Sequence, residues 1–467
     1  MKKNKYNYYS ALLLVFFAAS VQSQNITEVY CGKLLNTETG IWIKNALIKV
    51  DQDSGKVKEL SNFAKVSNPL KKSSLDLSKQ YCLPGLIDMH THISEDVSGD
   101  LIEFYSITQD EQLKIGRKNA SITLMAGFTT VRDVGVYIAW TDKKLRDEIE
   151  AKKTPGPRMK VAGYYLTIPG GGGDVAIPGY QGDVPDHIRM GVARGPEAFR
   201  EKAKQVIKGG ADHIKLIASG AVLAYGSLPG SPEMTPEEIS AVVDEARKTK
   251  TPVTAHAHGA LSIKQAIQSG VNSIEHASLI DEEGIELAKK YSVSLTMDVF
   301  NGDYINEMGE KDGMPEEFLE KNRETTDIQR KNFEKAHKAG VRIVFGTDAG
   351  VYPHGQNAKQ FSYMTKFGMT NLEAIQAATI KAAEVLRMDK EIGKVDKGFF
   401  ADIIAVSNNP LTDIRSLEDI QYVIKEGYLY KDRNKQLSRN RYFQLFSPYF
   451  LQAISMQIQK YQHHRLF

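Results

Sequence analysis

With 467 residues, 42 % of them hydrophobic, the chain can bury a large core, enough for two or three units or for one barrel with appendages. Its 60 Lys plus Arg against 57 Asp plus Glu leave a formal charge of +3, too small for a phosphate-binding surface, so nucleic acid is excluded as an expected partner.

Residues 1–23 differ from the rest. Lys2, Lys3 and Lys5 precede the apolar run 11–20, and Val21 and Ser23 supply the small residues that a signal peptidase reads, so a cleaved secretory leader ending before Gln24 is predicted. The run is shorter than the ~20 residues that span a bilayer. No lipidation cysteine follows it, so the mature chain is expected in the periplasm or outside the cell, with no stable membrane insertion. Cys31 and Cys82 could pair there, but spacing alone does not place them within bonding distance.

From Asn25 to about residue 80, short apolar segments are separated by turn signals, as where 41–50 runs into Asp51-Gln52-Asp53-Ser54-Gly55. Similar pieces recur at 399–406, after Lys397-Gly398, and at 422–430 around Glu426-Gly427. The segments 24–82 and 387–433 are predicted to form one small β-sandwich domain.

Between them, over 83–386, short apolar segments alternate with longer amphipathic ones. After a first strand that ends at His90 and His92, strands are predicted at 129–133, 159–162, 213–218, 253–257, 273–276, 293–297 and 341–347. Helix 235–248 is marked by Thr235 as cap and Pro236 at its first position. Strands joined by crossover helices predict an α/β fold, a (β/α)8 TIM barrel, whose site lies at the C-terminal strand ends. The tail 434–467 mixes Tyr442, Phe443, Phe446, Tyr449, Phe450 and Leu451 with basic residues, which suits an extra helix packed on the barrel or on a second subunit of a homo-oligomer.

The chemistry starts in YCLPGLIDMHTH, residues 81–92. Side chains at i and i+2 of a strand point the same way, so His90 and His92 can close on one metal ion. Further groups recur at strand ends: Lys215 in HIKLIAS, His256 and His258 in VTAHAHG, His276 in SIEHAS and Asp348 in VFGTDAG. With His354, six of the 11 histidines lie at or just beyond strand ends, where scattered core histidines would not collect. His256 and His258 share a parity, so spacing lets either face inward. His213 reads as packing, and Asp88 and Asp133 as capping or ligand-supporting carboxylates.

These pieces, together with GFTTVRDVG, YPHG, GMTNLEAIQAAT and IGKVDKGFFADIIAV, resemble the amidohydrolase superfamily of metal-dependent hydrolases from Asn25 to about Tyr430. Within it the chain is most similar to bacterial Xaa-Pro dipeptidases and carboxypeptidases, a group close to imidazolonepropionase-like proteins. The resemblance implies a binuclear hydrolase of C–N bonds. His90 and His92 would hold one metal, completed by Asp348, and His256 and His276 the other. Lys215, as its CO2 adduct, would bridge the two, and His258 would face the substrate. Two divalent ions, Zn²⁺ by ligand type, would lower the pKa of a bridging water from ~15.7 towards ~7. Asp348 would take its proton and return it to the departing amine.

Three loops, 167–174 (TIPGGGGD), 220–230 and 350–357, follow the strands. In related dipeptidases such loops meet the free carboxylate, which makes Tyr225 and His354 substrate-binding candidates beside His258. Relatives often read TGGHGD where this chain has Gly172, so the glycines would have to present backbone N–H groups instead. The expected substrate is a dipeptide or N-acyl amino acid. A cyclic amide, as in imidazolonepropionase, fits less well because of Lys215. The same metals would also serve a lactonase or a phosphotriesterase-like hydrolase, and a barrel without catalysis would be a binding protein.

Overall fold

The computed structural model describes residues 24–63, 73–96, 105–174 and 177–435. The leader expected over 1–23, and all of the 434–467 tail beyond Lys435, lie outside the described residues. The strands are β1 (Gln24–Asn25), β2 (Glu28–Leu35), β3 (Trp42–Asp51), β4 (Lys56–Asn62), β5 (Ser74–Pro84), β6 (Leu86–Thr91), β7 (Phe128–Asp133), β8 (Arg158–Val161) and β9 (Tyr165–Leu166). They continue as β10 (Ile214–Ile217), β11 (Val253–Ala257), β12 (Ser273–His276), β13 (Ser294–Thr296), β14 (Ile343–Val344), β15 (Ile403–Val406), β16 (Tyr422–Lys425) and β17 (Tyr428–Asp432).

The first five strands and the last three make one sheet in the order β1-β17-β16-β15-β5-β2-β3-β4. β5 joins the two chain ends because it pairs parallel to β2 and antiparallel to β15. The predicted sandwich is therefore one continuous sheet rather than two. Register shifts between Cys31 and Lys33 and between Lys49 and Val50 bend it, so that Val57 N–H reaches Phe399 O at 2.8 Å. Phe399 and Phe400, expected at the start of β15, serve instead to meet β4, and β15 begins only at Ile403. The sheet encloses a core that includes Val29, Ile48, Ile403 and Ile424. In that core Cys31 and Cys82 form a disulfide, with Cα atoms 6.3 Å apart.

The central strands form two parallel sheets, β6-β7-β8 and β9-β10-β11-β12-β13-β14. Their residues are buried almost throughout, as expected of parallel strands covered by helices. Only residues 162–164 separate β8 from β9, so the chain passes directly from one sheet to the other. At the opposite edge Met89 N–H donates to Phe345 O (2.9 Å) and His92 N–H to Ala349 O (2.8 Å). The fold is thus α/β with a curled parallel sheet. Gly346 permits this approach: a Cβ there would lie 2.1 Å from Thr296 Cγ2 and 3.0 Å from His90 Cβ.

Connecting helices follow their sequence signals. Thr235 caps helix Pro236–Thr249 by accepting from Glu238 N–H while the Glu238 side chain returns to the Thr235 backbone. The helix buries Ile239, Val242, Val243 and Ala246 against a core shared with Ile214, Leu216 and Val253, and each large side chain so buried contributes about 1.5–3 kcal/mol.

Candidate active site

The chamber at the C-terminal strand ends gathers side chains from five strands. His90 lies at the end of β6, and its Nδ1–H donates to Glu275 Oε2 at 2.8 Å. Its Nε2 is buried without a hydrogen bond and faces Asp348 Oδ1 at 3.2 Å. His92, just beyond β6, donates its Nδ1–H to Gly135 O at 2.9 Å, and its Nε2 is 3.3 Å from the same Asp348 oxygen. Both rings are thus fixed through Nδ1 and present an Nε2 lone pair to one point, the arrangement of a metal-ligating histidine whose other nitrogen is held by an acceptor.

The remaining imidazoles adjoin this pair. Ring centroids of His90 and His276 are 4.8 Å apart, those of His256 and His276 4.6 Å, and those of His258 and His276 4.8 Å. His276 Nδ1–H donates to Asp298 Oδ1 at 2.9 Å. His256 Nε2–H reaches Gly220 O at 3.3 Å, which leaves its Nδ1 lone pair free. His258 Nδ1 is 2.8 Å from Ser278 Oγ. Potential ligand atoms lie within 4.8 Å of one another in two groups, His90 with His276 and Asp348, and His256 with His258 and His276. His276 therefore belongs to both, and His258 stands as close to it as His256 does.

Electrostatics suit cations at this position. Burial pushes the His258 imidazole down to about 3 and holds His256 well below its usual range, so both rings are neutral, the ligating form. Burial by itself would raise the Asp348 carboxyl, but His90, His92 and His276 hold it well below the usual carboxylate range. Lys215 on β10 is 2 % exposed, and burial pushes its ammonium down to about 8. His276 (φ +67°) and Asp348 (φ +59°) both hold left-handed backbone, a strain of roughly 1–3 kcal/mol each that the surroundings must impose. β14 ends at Val344, short of the predicted Thr347, because the residues that follow bond to the β6 segment instead, as Met89 N–H to Phe345 O and Asp348 N–H to His90 O show.

Several residues that the sequence did not single out hold these groups in place. Glu275, fully buried, accepts from His90, from Arg132 Nη2 (2.7 Å), from Ser273 Oγ (3.0 Å) and from Thr254 Oγ1. Asp298 accepts from His276 and from Gln329 Nε2 (3.0 Å). Asn301 Nδ2 donates to Asp298 Oδ2 (3.1 Å) and to Asp348 Oδ2 (2.9 Å). The signal for Glu275 and Arg132 was an ionised residue inside a strand of the central parallel sheets, which must be paired when buried. Asp88 accepts from Thr347 Oγ1 (2.6 Å) and Asn357 Nδ2 (2.9 Å), and Asp133 from Ile93 N–H (2.6 Å), so both brace ligand-bearing loops. His213 is buried with neither ring nitrogen hydrogen-bonded.

Of the expected substrate contacts, Tyr225 and His258 line the cavity, which measures about 170 Å³. Tyr225 packs against Phe318, with ring centroids 4.9 Å apart. His354 is a correction: it does not line the cavity. Its Nε2–H donates to His92 O (3.3 Å) and its Nδ1 accepts from Thr123 Oγ1 (3.1 Å). The 350–357 loop turns back against β6, so this ring braces the His92 backbone. Gly172 lies where an imidazole has no room: a Cβ there would be 2.8 Å from Ala221 Cβ and 3.1 Å from Ala221 N.

Comparison with known proteins agrees with this geometry. Residues 81–429 match the model of the Amidohydrolase family, and the chain belongs to that family. It is thus an enzyme, a hydrolase acting on carbon–nitrogen bonds, in a family that is generally metal-dependent. Ochratoxinase of Aspergillus niger is 29 % identical over 444 residues, 88 % of each chain, and its crystal structure superposes with a TM-score of 0.73 at 27 % identity over 88 % of this chain and 96 % of that one. A Xaa-Pro dipeptidase with methionine bound in its active site superposes with a TM-score of 0.79 at 34 % identity, covering 86 % of this chain and 99 % of that one. A prolidase complexed with N-methylphosphonate-L-proline gives 0.80 at 28 % identity, covering 87 % and 99 %.

Proposed function

We propose that this chain is a secreted or periplasmic binuclear metallohydrolase of amide bonds, built as a (β/α)8 barrel over 83–386 with a β domain from 24–82 and 387–433. The observation that carries the metal reading is His90 Nε2, buried, without a hydrogen bond, and 3.2 Å from Asp348 Oδ1 while Nδ1 is tied to Glu275. The barrel reading is supported by the passage of β8 into β9 and by the hydrogen bonds between β6 and the segment after β14. The buried disulfide supports an oxidising compartment.

In this reading His90, His92 and Asp348 would hold one ion, and His256 and His276 the other, with His258 beside them. The ion pair, Zn²⁺ by its imidazole and carboxylate ligands, supplies Lewis acidity and an acidified water. Lys215 would join the ligands as its CO2 adduct: its neutral amine, which burial favours, would form an N–C bond to CO2 and release a proton, giving a carbamate. Asp348 moves the proton. Its Oδ1 faces the ligand cluster while Oδ2 is held by Asn301, so the carboxylate is oriented to accept a proton and hand it to the leaving amine. Tyr225 and His258, on the cavity wall, meet the substrate, whose scissile bond is an amide.

The test is metal content of the purified protein together with release of amines from pooled acyl amides and dipeptides. About two metals per chain with amine release is expected. A protein with no metal would overturn the binuclear reading, and one that cleaves only lactones or phosphotriesters would overturn the amide reading.

A further inference from the structure

Resting on the amide-hydrolase reading, we propose that the substrate group lying beyond the ligand cluster, against the 167–174 and 220–230 loops, is uncharged and largely apolar rather than a free carboxylate.

The glycine loop has no hydrogen-bond donor left to offer an anion. Gly170 N–H donates to Asp174 Oδ2 (2.9 Å), Gly172 N–H to Glu233 Oε2 (2.8 Å) and Gly173 N–H to Thr167 Oγ1 (3.3 Å). Gly171 N–H donates to Ile168 O at 3.0 Å. Two of these acceptors are carboxylates, Asp174 and Glu233, so those N–H groups are spent on the protein's own anions.

Cations are equally scarce. Among the described residues the only lysine or arginine lining the cavity is Lys215, at the ligand cluster. The nearby cations are engaged elsewhere. Arg189 grips Asp174 through Nε–Oδ1 (2.9 Å) and Nη2–Oδ2 (2.7 Å), and Lys321 Nζ donates to Ala224 O (2.6 Å) and Glu317 Oε1. Residues 97–104 and 175–176, which adjoin the His92 and glycine loops in sequence, contain no lysine or arginine.

The wall joins an apolar share, Ile177, Leu223, Ile305, Phe318 and Val351, to uncharged polar side chains such as Tyr225 and Asn322. A carboxylate entering this space would shed water without gaining a lysine, an arginine or a glycine N–H among the described residues, whereas an aryl or alkyl group would shed it at little or no penalty. The dipeptide C-terminus expected from the sequence is therefore disfavoured, and N-acyl amino acid amides and arylamides are favoured.

The experiment uses the metal-loaded wild-type protein and one matched pair, N-benzoyl-phenylalaninamide and N-benzoyl-phenylalanine. Alongside it, calorimetry measures binding of the N-benzenesulfonyl counterparts, in which a sulfonyl group replaces the scissile carbonyl and resists hydrolysis. The neutral member is expected to have the higher kcat/KM and the tighter binding, each by about tenfold or more, the scale of a charge left without its hydrogen bonds. Equal or tighter binding of the carboxylate overturns the proposal whether or not either amide is cleaved. Tighter binding of the neutral member with no cleavage of either benzoyl compound supports the proposal and overturns only the amide reading. Val222→Arg, on the half-buried wall, provides a second check. It is expected to narrow or reverse the binding preference, and an unchanged ratio would show that charge on this wall is not what the cavity selects against.

Discussion

Asn301 holds Asp348 from behind: one Nδ2 donates to Asp348 Oδ2 at 2.9 Å and to Asp298 Oδ2 at 3.1 Å, so the carboxylate assigned to proton transfer and the carboxylate that orients His276 share a donor. Asn301→Ala removes that donor without removing any candidate ligand. Loss of partners behind a ligand typically costs 10–100-fold, so kcat is expected to fall by about that factor while metal content stays unchanged. Steady-state kinetics with elemental analysis decide it; a kcat within twofold of wild type would mean that Asp348 needs no such support.

Glu275 couples His90 to Arg132, and all three are buried. In Glu275→Leu, Arg132 would keep its bonds to Met89 O and Ser273 Oγ but lose its only carboxylate partner among the described residues. Breaking a buried pair from one side costs roughly 3–5 kcal/mol. Chemical denaturation should report a loss of that size, and metal affinity should weaken because His90 Nδ1 has lost its acceptor. An unaltered midpoint would show that Arg132 finds water or another acceptor.

Lys215→Ala is expected to leave fewer than two metals per chain and almost no turnover, whereas Asp348→Asn should keep metal but lose turnover by a factor of about 10² or more, the scale of a missing proton-transfer group. Metal analysis and amine release on both variants separate the two roles. Full activity with two metals in Lys215→Ala would remove the carbamate from the reading.

How much of this could be read from the sequence depends on the kind of signal each residue carries. His90, His92, His256, His276 and Asp348 are legible because ligand-type side chains recur at the C-terminal ends of successive strands, where scattered core histidines would not collect. Asp298 and Asn301 follow β13, a strand of only three residues, and nothing in MDVFN marks either as different from a helix-capping pair. The glycine loop misleads in the other direction. Its N–H groups look free in sequence, but Asp174 and Glu233, the latter 61 residues beyond Gly172, consume two of them. The terminal pieces are legible as strands that could join in one sheet, but the strand order is not, because β5 pairing with both β2 and β15 is a long-range event that no local pattern encodes.

His354→Ala tests the correction made by the structure. A residue that touches substrate would change KM, whereas His354 touches His92 O and Thr123 Oγ1. KM is expected to stay within about twofold, with stability lower by about 1–3 kcal/mol from buried hydrogen-bonding groups left unpaired. A tenfold rise in KM without loss of stability would return His354 to the substrate site.

The disulfide offers a prediction that is independent of the metal centre. Cys31 and Cys82 are separated by 51 positions, and in the chain-entropy account closing a loop of that length stabilises the native state by about 4 kcal/mol. Both sulfurs lie in the core of the terminal sheet rather than in the metal-facing chamber. Cys31→Ala/Cys82→Ala, or wild type under strong reductant, is therefore expected to unfold at clearly lower denaturant while keeping metal content and kcat near wild type under native conditions. Reductant should have no further effect on the double variant. If reductant left the wild-type midpoint in place, the bond would contribute nothing to stability. If it abolished activity before unfolding, the terminal sheet would be coupled to the site more tightly than its separate core suggests.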